Sequence, residues 1–496
     1  MQHRRKFTQT HSPPSTKTQG TLPNRQNALL NHSTCRPQTL KSLHLSDNGI
    51  RAEDAKHIAD AIRQNEALNT LDIGFNQINH EGAKYIADAM RHNQTLSTLD
   101  LAINSIGASG VKHIADAIRE NKTLTKLGLY ANNIGDEGTT ILADAIRTNK
   151  VLTTLYLSGN YIYDEGATKI ARALQENKTL TTLDLSSNSI SHQGAKAIAD
   201  ALRCNETLKT LDLSHNKIGS EGTKHICGAI GKNKILTTLN VAYNEIDDQA
   251  VKTIANAIRE NTALTKVNLS ENPIGNQGAK SIADAIRENK TLTTLKLCSS
   301  KISDDGAKDI ANAVRKNRTL TSLDLRENRI SDEGAIDIAD ALRQNRTLTT
   351  LDLSYNYISP EGAQDIRDAI RENKNLTTLD LFCRDTGKAA VTEITDAIRE
   401  NTALTTLNLH GNRVGPEGAK EIANAIRENK TLTTLDLSYN ALSDEGTKMI
   451  AGALRENKAL TNLDLHGNGI GPEGAKELAD AIQQNNVKIT GSIRSA

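Results

Sequence analysis

Apolar residues in this chain fall into a register that repeats every 28 positions. Leucine stands at Leu40, Leu68, Leu96, Leu124 and onward to Leu460, sixteen copies without insertion or deletion. One copy reads Leu180-Thr-Thr-Leu183-Asp-Leu185-Ser-Ser-Asn188-Ser-Ile190. A fixed period of this length marks supersecondary units that bury their apolar faces only against their neighbours. The first half of a unit alternates, as in Leu351-Asp352-Leu353, the pattern of a strand buried on one face. The second half carries Ala335, Ile338, Ala339 and Leu342 at i, i+3, i+4 and i+7, one stripe of an amphipathic helix. Ser331 is its expected N-cap, with Asp332 and Glu333 against the positive end of the helix dipole. Parallel strands sit about 4.8 Å apart and packed helices about 8–10 Å. The pattern therefore predicts an α/β solenoid curved into a horseshoe, with a parallel sheet on the concave face and helices on the convex face.

Two asparagine columns punctuate the units. One follows the strand (Asn48, Asn76, Asn104 and so on) and is broken only at Ser300 and Arg384. The other stands at the helix C-terminus and is Asn in every copy, from Asn65 and Asn93 to Asn485. Asparagine tolerates the left-handed conformation that ends helices and bonds turn backbone, so both columns are expected to be structural.

With these residues in place, the Leu-x-x-Leu-x-Leu-x-x-Asn-x-Ile unit resembles the ribonuclease-inhibitor-like class of leucine-rich repeats. That class also forms the repeat regions of NOD-like receptors and Ran GTPase-activating proteins. The resemblance runs from residue 40 to about 487 and rests on scaffold residues, so it implies the fold. The expected organisation is a basic, disordered segment over 1–39, sixteen repeats over 40–487 and a short tail over 488–496. Repeats 1 and 16 carry no obvious polar-faced cap, so both ends of the solenoid are expected to fray first or to be covered by self-association.

Lys+Arg total 60 and Asp+Glu 59, a balance that argues against a nucleic-acid partner. The charge is unevenly spread. Residues 1–39 hold Arg4, Arg5, Lys6, Lys17, Arg25 and Arg36 and no acid. Taking those six from the total of 60 leaves 54 cations against 59 acids from residue 40 onward. Five irregularly placed cysteines (Cys35, Cys204, Cys227, Cys298 and Cys383) read as free thiols of a reducing, cytoplasmic compartment. No apolar run approaches the roughly 20 residues that span a bilayer.

Chemistry-bearing motifs are scarce. The chain has no His-Glu-x-x-His, no Cys-x-x-Cys and no Gly-x-Ser-x-Gly. Gly467-Asn-Gly469-Ile-Gly471 looks like a phosphate loop, but it is in register with Gly411-Asn412-Arg-Val-Gly415 and reads as a turn. His410 and His466 stand two repeats apart, roughly 10 Å by strand spacing, too far to share one metal. No catalytic site, metal, cofactor or small-molecule substrate is expected.

Function is then expected on the concave face. The residue between the strand leucines points to solvent, and nine of its sixteen copies are Asp, with Asp324, Asp352 and Asp380 consecutive. Such a strip fits a protein partner with a basic surface. Departures from the repeat consensus mark two further groups, because the scaffold does not demand them. Lys126, Tyr130, Tyr156, Tyr161 and Tyr163 lie in repeats 4 and 5, with Tyr130 and Tyr156 read as concave strand residues, Lys126 beside them, and Tyr161 and Tyr163 on the following turn. Lys296, Cys298, Arg326, Glu327, Tyr355, Tyr357, Phe382 and Arg384 span repeats 10 to 13. Tyr and Arg bury much surface at modest entropic cost, which suits interface anchors. The leading reading is a non-enzymatic scaffold that captures a protein on this face. A second is a GTPase activator similar to the Ran GTPase-activating proteins. A third is a bacterial effector delivered into a host cytosol, with residues 1–39 as its export signal.

Overall fold

The computed structural model describes residues 40–381, 387–485 and 487–490. The 28-residue unit folds as a three-residue strand, a turn, a helix and a return segment; in repeat 2 these are Thr70–Asp72 and Asn79–His92. Each strand pairs in parallel with the next and with no shift of register, so Leu71 stands beside Leu99, Leu99 beside Leu127, and Leu435 beside Leu463. Among the described residues this builds one open sheet of seventeen strands, with helices alternating along its back. The sheet lines the concave face and the helices the convex face. No helix among the described residues is long and apolar enough to cross a membrane.

The core is a continuous wedge between sheet and helices. Leu71, Ile73, Ile78, Ile86 and Leu96 are fully buried in repeat 2 and its junction with repeat 3, and most later repeats place equivalent side chains there among the described residues. Neighbouring helices approach one another closely at the glycine near the start of most helices. A Cβ on Gly82 would lie 2.5 Å from Ile78 Cγ2 and 3.1 Å from Ala52 Cα, so glycine is a packing requirement.

Both asparagine columns act across the repeat boundary. Asn93 donates through Nδ2 to the carbonyls of Ile62 (2.8 Å) and Asn65 (3.0 Å) of repeat 1. Its Oδ1 accepts from the amides of Thr95 and Leu96, which launch the next strand. The backbone expectation is corrected here: Asn93 is extended, φ −74° and ψ 132°, and its side chain, with no left-handed residue, ends the helix. The post-strand column works in the same way. Asn76 donates to Leu45 O at 3.0 Å, and its Oδ1 accepts from the amides of Asn48 and Ile50. Positive φ falls on the residue before it, as at Phe75 (54°), Tyr243 (54°) and Tyr439 (55°).

Helix N-termini are also held from the preceding repeat. Ser331 precedes the helix Asp332–Gln344 but makes no cap bond to it. Its amide and hydroxyl instead donate to Asp304, whose Oδ1 also accepts from Gly334 N at 3.1 Å. The expected serine cap is thus a carboxylate cap supplied by repeat 10.

The far end also departs from expectation. Lys488–Thr490 forms a strand beside Asn462–Asp464, with Ile489 opposite Leu463, so repeat 16 has a covered sheet edge. At the near end Leu40 is 52% exposed beside the first strand, Ser42–His44. Packing is incomplete at the junction of repeats 7 to 9. A void of about 10 Å³ lies there among Ile226, Cys227, Val241, Ile254 and Val267.

Candidate partner-binding surface

The solvent-facing strand column forms the stripe that the alternation predicts. Asp324, Asp352 and Asp380 end consecutive strands and stand in register, Asp324 beside Asp352 and Asp352 beside Asp380. Their carboxylates also serve the scaffold. Asp324 Oδ1 accepts from Arg326 N at 3.0 Å, and Asp352 Oδ1 from Ser354 N at 2.9 Å. One oxygen of each is therefore committed to its own turn while the stacked charges still face the open side. Burial pushes Asp352 above the usual carboxylate range, against the hydrogen bonds of Ser354, with Asp324 adding repulsion. Asp380 is pushed up to about 6, first by burial and then by Asp352, Asp324 and Asp436.

In repeats 4 and 5, Lys126 and Tyr156 occupy neighbouring strands, and the ammonium lies 5.3 Å from the ring centroid, a cation–π pair. Tyr130 lies two residues beyond its strand, Lys126–Gly128, which corrects its expected place on the sheet. Its ring covers Gly159, where a Cβ would come within 3.1 Å; Gly159 also has φ +67°, so two constraints fix that glycine. Tyr161 and Tyr163 are the exposed residues of the following turn, 60% and 52% accessible.

Repeats 10 to 12 hold the second group. Lys296 ends its strand exposed, and Arg326 Nε lies 3.4 Å from the buried Cys298 Sγ. Burial raises the Cys298 thiol despite the guanidinium beside it. Glu327, Tyr355 and Tyr357 converge with Ser299, Lys301, Asn328 and Arg329 around a cleft of about 260 Å³ on the turn edge of the sheet. Phe382 and Arg384 lie outside the described residues.

Several features escaped the sequence reading. Lys301 and Arg329 share one repeat position and are needed to complete the cleft. The signal was two successive cations in a column whose other cations, Lys217 and Arg413, stand singly. His215 and Tyr243 stack at 4.5 Å on adjacent repeats. His410 and His466, read as too far apart to share one metal, are linked through Tyr439, whose ring meets them edge-on at 5.2 and 5.1 Å. Reading the positive-φ column for aromatic residues would have found Phe75, Tyr243 and Tyr439. Among the described residues no three His, Cys, Asp or Glu side chains group as metal ligands.

A family model described as a leucine-rich repeat matches residues 36–59, 64–87, 92–115, 148–171, 176–199, 428–451 and 456–479. A second, the TMOD/LMOD leucine-rich domain, matches 214–321 and 299–416. No curated protein matches the chain in sequence. Similar solved structures include the Rad7 and Elc1 complex of yeast, 17% identical, covering 90% of this chain and 89% of that one, with a TM-score of 0.42. The mouse RP105/MD-1 complex is 16% identical, with 92% and 75% covered and a TM-score of 0.48. The leiomodin-1 actin-binding site 2 is 24% identical, with 30% and 86% covered and a TM-score of 0.25. The 28-residue period, the parallel in-register sheet and the two repeat models that together match most of the periodic region establish that this chain is a leucine-rich repeat protein.

Proposed function

We propose that this solenoid is a non-catalytic scaffold that captures a protein with a basic surface on its concave face and the adjoining turns. The observation that carries this reading is where the repeat consensus is abandoned. Scaffold demands are met inside the ladders of asparagine and aspartate, yet exposed positions in repeats 4–5 and 10–12 depart together towards Lys, Arg and Tyr. The stacked Asp324, Asp352 and Asp380 supply the charge that steers a basic surface, and the tyrosines supply anchors.

The test places a photo-crosslinking side chain at Lys126 or Lys296 on the strands, and at Lys196 or Lys252 on the helices, in the full chain. Crosslinks to the same protein from both strand positions and from neither helix position are expected. They should weaken when Asp324, Asp352 and Asp380 are all changed to Asn. Crosslinks of equal yield from the helix positions, or none from the strand positions, would overturn the reading.

A further inference from the structure

The cleft on the turns of repeats 10 to 12 differs in chemistry from the strip beside it. Many helix arginines are matched by carboxylates: Arg371 by Glu400 at 2.7 Å, Arg427 by Glu456 at 3.1 Å, Arg343 by Asp340 at 2.6 Å. Lys301 and Arg329 make no side-chain hydrogen bond or ion pair among the described residues. Both line the same cleft as Glu327, Tyr355 and Tyr357. Two cations against one carboxylate leave it net positive at the border of an acidic face.

The frame that carries these side chains is fixed. Arg329 N donates to Ile302 O at 2.7 Å, Tyr357 N to Ile330 O at 2.8 Å, and Glu327 N to Ser354 O at 2.8 Å. Asn328 forms the floor, its Nδ2 on Leu297 O at 2.8 Å and its Oδ1 accepting from Ser300 N and Ile302 N. Lys301 is held at φ +59°, which sets the direction of its side chain. Little ordering is left for a ligand to impose on the backbone, which favours affinity.

We infer that this cleft receives an acidic segment of the protein partner: a carboxylate between Lys301 and Arg329, with an apolar side chain against Tyr357. The inference rests on the scaffold reading above and adds a second, opposite charge to the partner. At about 260 Å³ the cleft lies just below the range of small-molecule pockets, and it takes one or two residues of an extended peptide. Glu327 decides between a peptide and a polyanion. Its carboxylate accepts hydrogen bonds from peptide N–H groups, whereas it repels successive phosphates of a nucleic-acid backbone. A carboxylate held by two otherwise unpartnered cations makes charge-assisted hydrogen bonds, the stronger kind.

The probe is a fluorescein-labelled hexapeptide Glu-Leu-Glu-Glu-Leu-Asp, with a lysine-for-acid counterpart and a single-stranded thymidine oligomer, titrated by anisotropy against the full chain. The acidic peptide should bind, and Lys301→Ala with Arg329→Ala should weaken it roughly tenfold or more. The charge-keeping exchange Lys301→Arg with Arg329→Lys should retain most of the binding. Lys196→Ala with Lys252→Ala, on the helices, should leave it unchanged. The idea is overturned if the acidic peptide does not bind, if the cleft variant binds it as the parent does, or if the lysine peptide or the oligomer is preferred at this site. Strand-face crosslinks without acidic-peptide binding would sink this inference alone; peptide binding without those crosslinks would sink the scaffold reading alone.

Discussion

Asp304 caps a helix that it does not belong to. It accepts the amide of Ser331 at 2.7 Å and the Ser331 hydroxyl at 2.8 Å, one repeat further along the chain. The same offset links Asp164 to Ser191 and Asp332 to Ser359. Asp304→Ala removes three bonds to repeat 11, one of them a hydroxyl bond, and should cost about 1–2 kcal/mol. Ser331→Ala, which removes only the hydroxyl bond, should cost less. Urea midpoints of the two variants check the order; a larger loss for Ser331→Ala would reverse the assignment of the cap.

Asn261 should matter more than any neighbouring surface charge. It is buried, donates to Ile230 O and Asn233 O, and accepts from the amides of Ala263 and Leu264. Asn261→Ala leaves those backbone groups without partners in the interior, a loss of about 2–3 kcal/mol. Arg259→Ala, at the exposed end of the same helix, should shift the urea midpoint little.

The aspartate stack makes stability depend on pH in an unusual direction. A carboxyl whose folded value is raised favours the folded state when protonated, so its contribution declines as pH rises from the unfolded value to about 6 and is then flat. Asp380→Asn cannot titrate and keeps a neutral side chain there. Relative to the parent, it should gain stability between about pH 4 and 6 and hold that gain at pH 7. Urea unfolding of both proteins at pH 4.5 and 7 measures the difference; an identical difference at the two pH values would refute the raised carboxyl.

The loose seam at repeats 7 to 9 should accept a methylene. Val267 stands where the other strands carry leucine and lines the void beside Cys227. Val267→Leu restores the repeat residue and should stabilise by about 0.5–1 kcal/mol. Calorimetry checks the sign. Cys227 itself, its thiol pushed up to about 12 by burial, should resist alkylation in the native protein, while the exposed Cys204 is labelled.

The two ends should now behave differently. The strand Lys488–Thr490 shields repeat 16, whereas Leu40 and the strand Ser42–His44 stay largely exposed at the other edge. Hydrogen exchange should show repeat 1 opening before repeat 16. Equal protection would mean that the added strand shields nothing.

The fold was legible because a strict period writes one interface sixteen times, and Leu71, Ile73 and Ile86 announce their faces through spacing alone. The helix-ending asparagines were assigned the right importance on the wrong backbone. A column of Asn reads as left-handed turns until its side chains are seen reaching carbonyls 31 residues earlier, such as Ile62 from Asn93. The Asp304 cap stayed hidden for the same reason: local capping rules look within three residues, and here the partner is 27 residues away. The candidate surface was legible where a residue broke consensus loudly, as at Tyr355 and Tyr357. Lys301 and Arg329 were missed because lysine and arginine on a turn look ordinary until the cleft brings them together.

The unshifted register has one more consequence. Most units present the same asparagine donors to the unit before them, at offsets near 28. Such units can follow one another as links in a chain of like couplings. Excising a whole link, such as residues 180–207, would rejoin matching strand registers and asparagine columns and shorten the arc, at the loss of the Ser191 hydroxyl bond to Asp164. The number of repeats is a setting that the molecule's chemistry leaves open, and the span of surface offered to a partner can be lengthened or trimmed in steps of one strand.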